Sequence, residues 1–236
     1  MLILKRIMLL AAALVAMPLM AQTRPGLTTG VPEMTVEQSY LQESVELMII
    51  REQSRAESRD MKLIALEFIG EAIERGNRSD EIRSTLEFLS LEGVVNIARE
   101  NGRVVNNFPD VRFRAATYLG QLGPPEAKRT LITMVSKDNE PMVITEAIKS
   151  LGRIGSDQNF EVVNTIAWTV NRFNNLNPDN LLALSAIESF ERLSEANGGS
   201  LSPDAIQTLI RIAEGNYLRP IQDRARALIS ALRRTN

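Results

Sequence analysis

The sequence contains neither cysteine nor histidine. Without thiols it can form no disulfide, take no disulfide-linked partner and offer no cysteine nucleophile; without imidazole it can build no histidine-based triad. Zinc sites that rely on Cys or His are excluded too, and nothing else in the chain calls for a cofactor or a metal. Signatures that cradle phosphate, HExxH and EF-hand loops are absent. An enzyme made from this chain would have to work with carboxylates, Lys, Arg, Tyr and hydroxyls alone. Carboxylate pairs such as Glu71 and Glu74 stand at helical surface spacing, as ordinary solvated charges do. A dominant charge sign is also missing. The 27 Lys plus Arg and 29 Asp plus Glu leave a net charge of −2, which gives no bulk electrostatic grip on DNA or RNA. Strand-like alternation is scarce, and apolar clusters follow three-four spacing instead. What remains is a chain of 236 residues that is 44% hydrophobic, enough for one domain or one array of repeats around a substantial core.

Residues 1–21 read as an address. Lys5 and Arg6 supply a basic start, Ile7 to Met17 form an apolar run, Pro18 interrupts it, and Leu19-Met20-Ala21 offers a small-residue exit before Gln22. This is the layout of a secretory signal peptide. A retained membrane anchor is the rival reading, but a span needs roughly 20 apolar residues and this run is shorter. No cysteine follows it, so lipid attachment of the bacterial lipoprotein kind is not available. Cleavage would leave 25 basic groups against 29 acidic ones. Residues 22–34, with two Pro and two Gly and no periodicity, read as a flexible leader. Residues 35–236 are then the folded domain.

Thr35 to Gln38 has the form of a capping box and should open a helix whose apolar stripe is Leu41, Val45 and Met48, broadened by Ile49. From there helical periodicity runs almost to the last residue. The fold class predicted is all-α.

An internal repeat organises the chain. Pro109, Val111, Ala115, Leu119-Gly120 and Gly123 recur as Pro141, Val143, Ala147, Leu151-Gly152 and Gly155, each 32 residues later. Ala186 to Leu193 echoes Ala147 to Ile154 at an offset of 39, and weaker copies run through Met61, Ala65, Ile69 and Gly70 and through Ile221, Ala225, Ile229 and Leu232. Val, Ala and Leu at i, i+4 and i+8 make one narrow stripe, and the small central Ala lets a paired second helix come close. Gly123 and Gly155 can take positive φ and end the helix. Second helices restart after Pro124-Pro125 and at Ser202-Pro203, and Asn177-Pro178 opens another first helix in the same way. About 18 extra residues separate the first two copies, where Gly93 to Asn107 could hold an additional helix. One such pair cannot cover its own apolar face, so neighbours must stack.

On the residues of 109–123 and 141–155 the chain resembles the HEAT-repeat family, in the short form also called PBS-lyase HEAT-like repeats. The likeness departs at Ile144, where the family's arginine (Arg112 in the preceding copy) is missing, and at Glu191 and Ser194, which replace glycines. The resemblance implies a right-handed α-solenoid of about five stacked helical hairpins, with a binding surface usually on the ridge of second helices. It does not imply an enzyme.

The best candidate for such a surface is Trp168, the only tryptophan. On a helix starting near Phe160 the core stripe should be Val163, Ile166, Ala167, Val170 and Phe173. Trp168 falls opposite, beside Asn164, Thr165, Asn171 and Arg172. An amphipathic ring among amide and guanidinium groups has the make-up of a binding hot spot; alternatively it packs on the next repeat. Phe113, between Arg112 and Arg114, should contact the preceding repeat. Arginine makes up 22 of the 27 basic residues, and Arg51, Arg55 and Arg59 interleaved with Glu52 and Glu57 read as a solvated face with i,i+4 pairing, or else as a docking face for an acidic partner. The asparagine-dense stretch 171–177 reads as a linker between repeats.

These features point to a non-catalytic, exported scaffold of the periplasm or cell envelope that binds another protein. The alternatives are a solenoid tethered to a membrane through uncleaved residues 1–21 and a HEAT-like enzyme such as a lyase.

Overall fold

A computed structural model describes residues 35–123, 126–173 and 178–235. The leader and its preceding segment, Pro124-Pro125 and Asn177 lie outside the described residues. Among those described there are ten α-helices: α1 (Val36–Arg55), α2 (Arg59–Glu74), α3 (Asp80–Leu91), α4 (Pro109–Leu122), α5 (Glu126–Lys137), α6 (Pro141–Ile154), α7 (Glu161–Phe173), α8 (Asn180–Ala196), α9 (Pro203–Glu214) and α10 (Arg219–Thr235). A small antiparallel hairpin, β1 (Arg99–Glu100) and β2 (Arg103–Val104), stands between α3 and α4.

The helices form two rows. In the first, α2, α4, α6, α8 and α10 pack each on the next; in the second, α1, α3, α5, α7 and α9 do the same, and each second-row helix also packs on the first-row helix that follows it. This is an all-α solenoid, and one continuous apolar core runs along it between the rows. None of the described helices is long and apolar enough to cross a membrane.

The repeat residues hold the first row together. Val111, Ala115 and Leu119 of α4, and Val143, Ala147 and Leu151 of α6, are buried. Gly120 and Gly152 set the spacing of the row: a Cβ on Gly152 would stand 2.7 Å from Ser189 Oγ and 3.0 Å from Ser189 Cα. That closeness lets Ser150 donate to Ala116 O (2.8 Å) and Ser189 to Ile148 O (2.9 Å), tying each helix to its predecessor. Where α8 has Glu191 in place of the glycine, α10 is held differently, by Arg224 reaching both Glu191 (2.8 Å) and Glu188 (2.9 Å). Gly123 and Gly155 take positive φ, as expected at helix ends.

Buried charge links the repeats at the turns. Arg112, only 1% exposed, donates from Nε to Asp138 Oδ2 (2.7 Å) and from Nη2 to Asp138 Oδ1 (3.2 Å), and from Nη1 to Asn107 Oδ1 (2.7 Å). Asp138 Oδ1 in turn accepts the backbone N–H of Asn139 and Glu140 at the entry to α6. Lys62 holds the corresponding place in α2, buried, with Glu92 Oε1 at 2.9 Å and Ser54 O at 3.0 Å. Such groups are expensive to bury, and here each is paired and hydrogen-bonded.

Several sequence expectations need correction. Leu41, Val45 and Met48 do not face the core of the solenoid: all three are more than half exposed, and α1 is anchored through buried Ile50 and Ser54. The stripe is apolar, but α1 is the first helix described and no other described helix covers its outer side. Gly93 to Asn107 contains no additional helix. Asn101 (φ 49°) and Gly102 (φ 80°) form a hairpin turn, and Gly93 (φ 76°) must be glycine because a Cβ would collide with Asn106 O at 2.5 Å. Pro178 lies before α8, which starts at Asn180. Asp179 caps it, its carboxylate accepting from Leu181 N (2.8 Å) and Leu182 N (3.0 Å), because a carboxylate can satisfy two free donors at once. In α2 the weak copy is led by buried Lys62, while Met61 is exposed. Arg51 and Arg59 pair across helices, with Glu81 (2.7 Å) and Asp110 (2.5 Å), and not at i,i+4.

Candidate functional site

Helix α7 carries the candidate residues, and its ends are firmly placed. The Asp157 carboxylate accepts from Val162 N (2.8 Å) and Val163 N (3.0 Å) at the start, the task of a capping side chain. Val162, Val163, Ile166, Ala167, Thr169 and Val170 are buried, and Thr169 donates to Val135 O of α5 (3.3 Å). Opposite this stripe, Trp168 is 54% exposed. It does not pack into the following repeat. Phe113, by contrast, is half-buried against the core.

The guanidinium of Arg172 lies 4.9 Å from the Trp168 ring centre and 4.8 Å from that of Phe173. It also donates to Ser136 O (3.1 Å) and Asp138 O (3.0 Å), two carbonyls at the end of α5. Arg172 therefore fixes α7 to α5 and restricts the indole, and a restricted aromatic loses less entropy when a partner covers it. Asn164 lies exposed one turn before Trp168. Thr165 is half-buried and its hydroxyl donates to Glu161 O (2.8 Å), within its own helix. Asn171 turns sideways: its Nδ2 donates to Thr208 Oγ1 of α9 (3.1 Å) and its Oδ1 is buried, so it fastens two repeats together. The structure thus gathers Asn164, Trp168 and Arg172 on one accessible face and gives Asn171 a structural contact. The remainder of the asparagine-dense stretch, 174–177, lies outside the described residues.

The second row has its own repeat, which the first-helix motif conceals. Buried residues fall at i, i+3, i+4, i+7 and i+8 in α3 (from Ile82), α5 (from Ala127) and α9 (from Ala205), and α7 follows the same register from Val162. The i+3 position is threonine in all four: Thr85, Thr130, Thr165 and Thr208. This register puts Phe88, Thr133, Trp168 and Arg211 at equivalent outward places, so Trp168 stands on a ridge along the second row with Phe88, also exposed, two helices away. A threonine followed by Leu or Ile, recurring every 35 to 45 residues, was the signal available in the sequence.

Nothing in this face is arranged for chemistry: its groups are an indole, a guanidinium already engaged by carbonyls and an amide. Among the described residues no group of three or more carboxylates stands together as a metal site.

Two rows of helices stacked by repeating glycine and buried-ion contacts, with an aromatic ridge on one row, define an α-solenoid repeat protein. The family model described as HEAT repeats matches residues 103–169, from β2 to the helix that carries Trp168, so this segment is similar to HEAT repeats. No curated protein matches the chain.

Proposed function

We propose that this protein is an exported, non-catalytic scaffold that binds a partner protein through the second-row face around Trp168. The observation that carries the reading is the exposed indole, held by Arg172 on a rigid helix. Exposed tryptophans backed by arginine are the side chains that dominate protein interfaces when truncated. HEAT repeats serve as repeat-based interaction modules, and the absence of Cys and His leaves few routes to catalysis. Asn164 and Arg172 flank the contact, while Thr165 and Asn171 keep α7 in place beneath it.

Trp168→Ala tests the face. With the ring already solvated, the substitution removes one cation–π contact and should cost about 1 kcal/mol of stability or less. Loss of a hot spot should weaken partner binding by at least about 30-fold. A large fall in melting temperature, or unchanged affinity for the partner, refutes the assignment.

Export to the periplasm or cell envelope rests on the basic start at Lys5-Arg6, the apolar run to Met17 and the break at Pro18. Mass measurement of the mature protein should find Gln22 at its N-terminus. An intact Met1 in a membrane fraction would favour the tethered form instead.

A further inference from the structure

The two ends of the solenoid are finished differently. On the last helix, α10, no large apolar side chain is exposed. Arg219, Asp223, Arg226, Ser230, Arg233 and Arg234 face solvent there, the polar cap that a stack of repeats needs to stay soluble. On the first helix, α1, the outer side is the stripe of Leu41, Val45 and Met48. Met61 and Ile64 of α2, which opens the other row, are exposed as well. An apolar stripe alone does not name its cover; the charges along its edge do. Glu37, Ser44 and Arg51 follow one another at seven-residue intervals and so share one edge of the stripe, acidic at the start of the helix and basic toward its end. Arg51 reaches Glu81 through Nε alone (2.7 Å), so its Nη groups are not engaged by that contact.

We infer that α1 packs on α1 of a second copy of this chain, antiparallel across a two-fold axis, stripe against stripe. The alternating four-three spacing of Leu41, Val45 and Met48 is that of a helix–helix seam, where knobs of one helix seat in holes of the other. A two-fold of this kind sets each edge against the same edge of the copy, running the other way. Glu37 then stands beside Arg51 of the second copy at both ends of the contact, and Ser44 beside Ser44 at its middle. A parallel pair would set Glu37 level with Glu37 and forfeit both ion pairs. A head-to-tail array would bring the stripe onto α10, where no large apolar side chain is exposed to receive it. The contact is therefore self-complementary and closes at two copies. Its size sets its strength: α1 has 20 residues, and a pair of helices about 30 Å long lies at the low end of specific interfaces, which suits a Kd on the order of 10 μM. The axis passes the first helix and leaves the face around Trp168 uncovered on both copies.

Sedimentation of the chain as isolated from the producing cells, between about 1 and about 300 μM, reads the association. Monomer should pass to dimer and no further. Val45→Glu, at an exposed position that leaves the fold intact, should weaken the dimer at least about 30-fold. Glu37→Arg, which sets like charges together at both ends, should weaken it at least about fivefold, less so in high salt. The chain has no cysteine of its own, so a short bis-maleimide reads the orientation. Ser44→Cys should give a covalent dimer, whereas Glu37→Cys, roughly 21 Å from its copy at about 1.5 Å per residue, should not. A monomer at every concentration, a dimer untouched by Val45→Glu or by Glu37→Arg, longer arrays, or crosslinking of Glu37→Cys instead of Ser44→Cys overturns the inference. Cover of the stripe by another protein or by residues 22–34 of the same chain leaves one copy per particle and overturns it equally.

Discussion

Replacing Arg112 with methionine keeps most of the side-chain stem and removes the guanidinium. Asp138 would then be left 1% exposed, with the N–H groups of Asn139 and Glu140 but no cation, and Glu92 O and Asn107 Oδ1 would each lose a donor. Breaking one side of a buried pair costs about 3–5 kcal/mol. For a domain of this size each kcal/mol lowers the melting midpoint by roughly 2–4 °C, so a fall of about 10 °C is expected. Far-ultraviolet circular dichroism during heating reads it directly. Adding Asp138→Asn should recover at least half of the loss, because the amide still accepts from Asn139 and Glu140 and no charge remains buried. A single variant that melts within about 2 °C of the parent would show that the pair does not join the repeats as described.

Other expected outcomes concern the row contacts. Gly152→Ala forces a methyl onto Ser189, 3.0 Å from its Cα, and should destabilise by about 1–3 kcal/mol in urea titrations, since backbone cannot yield as a side chain does. The Glu81 carboxyl is held below its usual range chiefly by the hydrogen bond from Arg51, which outweighs the opposing effect of desolvation, with the charges of Arg51 and Arg55 adding less. Its folded pKa therefore lies below its unfolded one, so the contact between α1 and α3 contributes above the unfolded value and is lost as pH falls through the folded value. Hydrogen exchange of α1 should accelerate in that acid window, and Arg51→Met should reduce the pH dependence.

How far the sequence reveals this architecture depends on the kind of residue that marks each part. First-row helices are legible because proline, glycine and the Val-Ala-Leu stripe carry conformational meaning on their own. The second-row repeat is quieter: Thr85, Thr130 and Thr208 are buried by register and Thr165 is half-buried, and threonine alone does not announce burial. Asn101-Gly102 is a strong hairpin signal, yet it lies in a chain whose helical periodicity dominates the reading. Leu41, Val45 and Met48 show a different limit, since spacing identifies an apolar face without telling what covers it. Trp168 is readable from a helical wheel, whereas its clamp by Arg172 depends on carbonyls at Ser136 and Asp138 that only stacking brings near. Lys62, Glu92 and the hairpin come from three separate segments, and no local pattern joins them.

The docking face is tested most directly by a photo-crosslinking amino acid placed at position 168, and separately at exposed Met142 on the first row, in cells that make the protein at its native level. A discrete protein adduct from position 168 and none from position 142 is the predicted result. No adduct from position 168, or the same adducts from both positions, would contradict a partner-binding ridge on the second row.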